Sequence, residues 1–286
     1  KEVLAENFTL TLGSSSAIFA SNLCTLGSRV SFVGKLGFDD FGNYIFSALQ
    51  SKGVNTLSIV RTTQHSTGVT IALNFNEDRA MVTYPGAMAH LCIEDIAEAD
   101  LLKSRHLHVS SIFLQPELKA DIINLFAKAK AFGLTTSLDP QWDPSEQWDL
   151  DLEKLLPQVD VFMPNINELQ ALTNVEDLHK AAHAIKSFCN VLVVKHGNTG
   201  ASLWTKEEFY HQHAFINSQV VDSIGAGDSF NAGFIHKFIQ QKSLKECLEF
   251  AALTGAINTT RQGGTTAFEN IELVRYIAAS CFNYEI

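Results

Sequence analysis

Near the carboxyl end of the chain stands VVDSIGAGDSFNAGFI (220–235), where Gly225-Ala226-Gly227 and then Asp228 open a helix with an apolar face. Glycines there permit a sharp turn and a close approach of the backbone to a ligand. A helix start offers N–H groups without intrahelical partners and the positive end of the dipole, which suits a phosphate. Such a set could transfer a phosphoryl group to an alcohol. The amides of Gly225, Ala226 and Gly227 would hold the phosphoryl, and Asp228 would take the hydroxyl proton. The plainer alternative makes Asp228 a helix N-cap. Asn165 and Glu168, in MPNINE, are an oxygen-rich pair just past a strand. They suit Mg2+, directly or through water, or else form a cap with Glu in the first turn. Lys195 ends a strand and could meet phosphate oxygens as a point charge, or simply face solvent.

Positioning these groups requires a scaffold, and short β-rich runs alternate with helical patterns for most of the length. The strand candidates are 29–34, 106–111, 134–139, 159–164 and 190–197; between them lie amphipathic stretches at 14–26, 39–52, 116–131 and 176–187. This rhythm predicts βαβ units around a mainly parallel sheet. ASLWT and EEFYHQHAF after residue 200 predict an antiparallel pair at one edge, followed by helices at 226–240, 243–260 and 269–281. STGVTIALNFNEDRAMVTY (66–84) reads instead as two alternating strands around a turn at Asn76-Glu77-Asp78, and LAENFTLTLG (4–13) alternates similarly. These strands are expected to form a small lid sheet over the carboxyl ends of the parallel strands, or else extra edge strands of the main sheet.

Composition narrows the function classes. Of 286 residues, 46% are hydrophobic and 18% charged, with a net charge of −10 and no basic run, which argues against nucleic acid or an anionic membrane as partner. No apolar run reaches membrane-spanning length, and no signal peptide is visible. Five widely spaced cysteines without a CxxC pair form neither a disulfide framework nor a zinc pattern, so a reducing cytoplasm is expected. His106 and His108 alternate with apolar residues and read as structural. A GxGxxG after the first visible strand is missing, which removes a Rossmann dehydrogenase.

Asp222-Ser223-Ile224-Gly225-Ala226-Gly227-Asp228 resembles the D-[TS]-x-G-A-G-D motif of the ribokinase-like, phosphofructokinase-B type carbohydrate kinases. LGSRVSFVGKLGFDDFG resembles the family's amino-terminal segment, MPNINE its N-x-x-E, VVKHGNTGA its K-x-G-x-x-G turn, and AINTTRQGG the segment around the nucleotide base. The resemblance implies a three-layer α/β sandwich with a lid from about 2–13 and 66–85, in a single domain spanning 1–286. It implies an ATP-dependent kinase with Mg2+, acting on a small sugar or nucleoside. Lys195, Gly197, Gly200, Asn258 and Gly263 would then serve the nucleotide with Asn165 and Glu168; Gly13 and Ser14 would serve the substrate. Asp222 and the backbone around 258–264 correspond to a monovalent-cation site, for K+, in some relatives. A homodimer joined through the lids is also implied. Relatives carry an aspartate on a strand preceding the lid; this chain opens on Lys rather than Met, so that strand is expected upstream of residue 1.

The chain departs from the pattern at the sugar side. G-G-x-x-x-N becomes Gly13-Ser14-Ser15-Ser16-Ala17-Ile18, and D-x-N-x-R becomes Asp139-Pro140-Gln141-Trp142-Asp143. Ile18 cannot bond a hydroxyl, and Asp143 in place of an arginine would repel an anion. A neutral sugar is therefore expected before a sugar acid, with a nucleoside kinase or a non-catalytic binding regulator as alternatives. Tyr84 would contact substrate from the lid or remain an edge-strand residue.

Overall fold

A computed structural model describes residues 8–75 and 78–286. In chain order it contains α1 (Ser15–Thr25), β1 (Gly34–Gly37), α2 (Asp40–Ser51), β2 (Ile59–Thr62), β3 (Val69–Phe75), β4 (Asp78–Tyr84), α3 (Glu98–Leu102), β5 (His106–Ser110), α4 (Pro116–Ala120), α5 (Ile122–Ala131), β6 (Thr135–Asp139), α6 (Leu152–Leu155), β7 (Val161–Phe162), α7 (Ile166–Thr173), α8 (Leu178–Ile185), β8 (Val191–Lys195), β9 (Ala201–Trp204), β10 (Phe209–Gln212), α9 (Ala226–Phe238), α10 (Leu244–Asn258) and α11 (Ile271–Phe282).

The central sheet runs β10-β9-β8-β7-β6-β5, with β5 to β8 parallel and β9 and β10 antiparallel. Its strands are apolar on both faces because both are covered. Leu192 and Val194 of β8 pack with Leu125, Phe126 and Leu169 from α5 and α7. Val193 between them turns the other way, to Phe230, Phe234 and Leu248 from α9 and α10. The alternation of one strand thus holds helices on opposite faces, and the resulting layers are those of the α/β sandwich. His106 and His108 are structural: their rings bond Thr135 and Ser137 hydroxyls, and burial pushes His106 down to about 4.

Three expectations need correction, and a fourth point chooses between two alternatives. The strand expected at 29–34 contributes only a Ser31–Asn55 bridge; β1 begins at Gly34 and pairs in parallel with β2, in a two-stranded sheet of its own. Residues 8–13 form no strand, while 4–7 lie outside the described residues. Leu12 is buried instead with Ala17, Leu36 and Leu49, so TLTLG runs across α1 and α2 as packing. The helix expected over 116–131 is interrupted at Asp121, whose backbone leaves the helical region. Finally, β3 and β4 pair with each other and not with the central sheet. Residues 76 and 77 of the expected turn lie outside the described residues. No described helix is long and apolar enough to cross a membrane.

Candidate active site

The carboxyl ends of β6, β7 and β8 meet the start of α9. Gly225 is left-handed, at φ 77°, and holds the N-cap position of α9 with no side chain capping it. A Cβ on Gly225 would come 2.6 Å from Gly264 Cα and 3.2 Å from Ile18 Cγ2, so the turn needs glycine for both its φ and its neighbours. The Ala226 N–H closes the preceding turn on the Ser223 carbonyl, which removes it from the expected anion hole. Among the described residues the Gly225, Gly227 and Asp228 amides make no such bond, and they stand at the positive end of the helix.

Asp228 is therefore the third residue of the helix and not its cap. It is buried, its carboxylate meets the Ser15 hydroxyl, and Gln141 Nε2 donates to its Oδ1 at 3.3 Å. Burial pushes its carboxyl up to about 7; Asp139 adds to the rise, and Lys195 and Ser15 work against it. A carboxylate in that range is suited to accept a proton near neutral pH.

Asn165 and Glu168 form a reciprocal capping box at the start of α7. Asn165 Oδ1 accepts from Glu168 N at 2.9 Å, and Glu168 Oε2 accepts from Asn165 N at 2.8 Å. Asn165 Nδ2 also donates to Glu168 Oε1 at 2.6 Å. Glu168 is buried, and burial with the charge of Asp139 raises it to about 7. Each carboxylate oxygen keeps a further lone pair, so the box leaves capacity for a cation or its waters. No cluster of three or more metal-ligating side chains occurs among the described residues. The pair fits Mg2+ arriving with phosphates and most of its own water, which needs only one or two carboxylates.

Lys195 lies close to the helix start, since a Cβ at Gly227 would sit 3.9 Å from its Nζ. It is not a solvent-facing lysine: its ammonium pairs with buried Asp139 at 2.5 Å. Asp222 braces two turns, accepting from Ile224 N and Gly263 N at 2.9 Å each. Asn258, expected at the nucleotide, is fully buried and spends its amide on the Ile224 carbonyl and the Ser229 hydroxyl. Gly197 and Gly200 both have positive φ in the turn after β8, and a Cβ at Gly200 would strike the Gln212 carbonyl. Gly13 and Ser14 lie exposed at the start of α1, Ser14 in the left-handed region at φ 66°.

Beside Asp228 the structure brings together further polar side chains that the spacing did not bring together. Ser15 touches Asp228, and Ser16 Oγ lies 2.7 Å from Ser110 Oγ. Ser111 and Gln141 are left-handed, at φ 57° and 60°. Gln141 touches the Asp228 carboxylate, and Ser14 immediately precedes Ser15, which also touches it, so two of these uncommon positive-φ steps aim side chains at that group. Two expectations change here. Ile18 is buried against Gly225 and Gly264, buttressing the glycine turns. Asp143 is buried and bonded within its own loop: its oxygens accept from Ser145 N and Oγ, Gln147 N and Trp148 N. Burial raises its carboxyl, but these donors prevail and hold it below the usual range.

A family model described as "pfkB family carbohydrate kinase" matches residues 2–271. A 5-dehydro-2-deoxygluconokinase of Lacticaseibacillus casei is 28% identical over 284 residues, covering 93% of this chain and 86% of the relative. A deoxyribokinase of Salmonella typhi is 29% identical over 277 residues, covering 94% and 88%. The solved Arabidopsis thaliana ribokinase, complexed with ribose and ATP, superposes with a TM-score of 0.83 at 25% identity, covering 96% and 90%. The chain belongs to the pfkB family of carbohydrate kinases and is an ATP-dependent kinase of sugars or nucleosides.

Proposed function

We propose that the chain transfers the γ-phosphoryl of ATP to a hydroxyl of a small neutral sugar, with Asp228 as the base. The single observation carrying this reading is the position of Asp228, buried beside an uncapped helix start and in contact with Ser15 and Gln141. The acceptor hydroxyl lies against Asp228 and attacks the γ-phosphorus in line. Its O–P bond forms as the bond to the β-phosphate oxygen breaks; the proton passes to Asp228 and ADP leaves. The Gly225, Gly227 and Asp228 amides take charge from the equatorial oxygens. Lys195 adds a point charge at the same end. Mg2+ with Asn165 and Glu168, directly or through water, neutralises phosphate charge when bound. Asp222 and Asn258 hold the turns that carry the glycines.

A neutral acceptor is favoured because the side chains in contact with Asp228 are the Ser15 hydroxyl and the Gln141 amide, with the Ser16–Ser110 hydroxyl pair beside Ser15 in sequence. Lys195, the one cation acting on Asp228 among the described residues, is already paired with Asp139. The names of the two relatives, one a 5-dehydro-2-deoxygluconokinase and one a deoxyribokinase, do not choose between acids and neutral sugars. A nucleoside is the second reading, favoured by Trp142, which is 48% exposed next to Gln141 and held edge-on by Trp148. The β3–β4 hairpin presents Ile71, Val82 and Tyr84 on one exposed face, which suits a lid pairing with a second copy. Measuring ATP consumption over neutral sugars, sugar acids and nucleosides tests the reading. Highest kcat/KM on a neutral sugar is expected; preference for a sugar acid overturns the substrate class.

A further inference from the structure

Asp139 ends β6 and is fully buried, yet no step of the transfer uses it. A buried carboxylate must be compensated by partners. Its Oδ2 accepts from Lys195 Nζ at 2.5 Å, from Asn231 Nδ2 at 2.5 Å and from Gln141 Nε2 at 3.0 Å; its Oδ1 accepts from Gln141 N at 3.3 Å. These donors come from three places in the fold. Lys195 closes β8, Asn231 stands one turn after Asp228 on α9, and Gln141 opens the left-handed step after β6. The same Gln141 Nε2 reaches Asp228 Oδ1 at 3.3 Å. The Lys195 side chain is only 12% exposed, so water screens the pair weakly.

We propose that Asp139 is a positioning residue for the transfer: it fixes the Lys195 ammonium beside the glycine turn and the Gln141 amide against Asp228. Its charge also bears on the proton affinity of Asp228. This rests on the reading of Asp228 as base. Among the described residues the charged groups acting on Asp228 are Asp139 from β6, Lys195 from β8 and Glu168 from α7, while α1 presents only the Ser15 hydroxyl. Asp139 and Lys195 act with opposite sign, so deleting each charge moves Asp228 in opposite directions.

Asp139→Asn keeps the shape and removes the charge. The acid limb of kcat/KM for the acceptor is expected to move down by about one pH unit. Lys195→Met is expected to move it up by a similar amount, with thermal melts confirming that both variants fold. A merely structural role lowers kcat at every pH and leaves the limb in place; that result in both variants overturns the proposal. If Asp139→Asn does not fold, Lys195→Met decides alone, and a limb that stays or moves down overturns it. Failure of the base reading is distinguishable: Asp228→Asn then keeps near wild-type turnover, whatever the limb does in the other variants.

Discussion

The two ends of the site are built differently. The end proposed to take the phosphate is made of backbone: the Gly225, Gly227 and Asp228 amides, with Asp222 and Asn258 bracing the turns from behind. The end proposed to take the acceptor is made of side chains: Ser15, Ser16, Ser110 and Gln141, with positive φ at Gln141 itself and at the chain neighbours Ser14 and Ser111. Backbone amides recognise a phosphate whatever side chains surround them, so that end demands glycines and little else. Hydroxyls and amides recognise a substrate only through their own placement, so that end is where this chain can be particular. The comparison teaches that loss at the phosphate end should disable turnover on every acceptor, while loss at the acceptor end should change which acceptor is used.

The largest effect expected is from Asp228→Asn. Turnover should fall by about 10²–10⁴-fold on every acceptor, with ATP binding by calorimetry retained. Gly225→Ala comes next, because it places a Cβ at φ 77° and against Gly264 Cα. A loss of roughly 1–3 kcal/mol in stability and weaker ATP binding are expected, read by thermal melts and calorimetry. Asp143→Arg should destabilise by about 2–4 kcal/mol, since the donors from Ser145, Gln147 and Trp148 lose their acceptor. It should leave the ratio of kcat/KM between a neutral sugar and a sugar acid unchanged. A changed ratio would mean that Asp143 reaches the ligand after all. Smallest, Ser15→Ala and Gln141→Ala should raise KM for the acceptor several-fold, by about 1 kcal/mol each, and leave KM for ATP in place. Equal rises in both would erase the distinction between the two ends.

The same contrast marks what the sequence made legible. Strands β5, β6 and β8 stand within two residues of their expected limits, because burial on both faces leaves unbroken apolar runs. The amino-terminal part was harder to read. TLTLG alternates like a strand, yet Leu12 is inward only because it fills a gap between α1 and α2. The four-residue β1 and β2 are too short to carry a period of their own. At the site, Gly225 to Asp228 announced themselves through residue type. Ser15 and Gln141 did not: their direction follows from left-handed steps at Ser14 and Gln141 itself, which no glycine marks. Asp139 stood out in the sequence only as the first residue of the D-x-N-x-R match, because its donors Lys195 and Asn231 lie far away in the chain. Asp143 misled because three of its four donors are backbone N–H groups, which leave no trace in residue identity.

The most direct test of the central claim is the pH dependence of kcat/KM for the best acceptor. As the proposed base Asp228 would work as a carboxylate, and burial with the charge of Asp139 pushes it up to about 7. Below that value it is protonated and cannot accept the hydroxyl proton. The rate should therefore be flat above about pH 8 and fall roughly tenfold per unit below pH 6. Glu168 is raised to a similar value, so the limb must also persist in Glu168→Gln. A profile that stays flat down to pH 5 would contradict the account, because a carboxylate buried as Asp228 is could not then be the base.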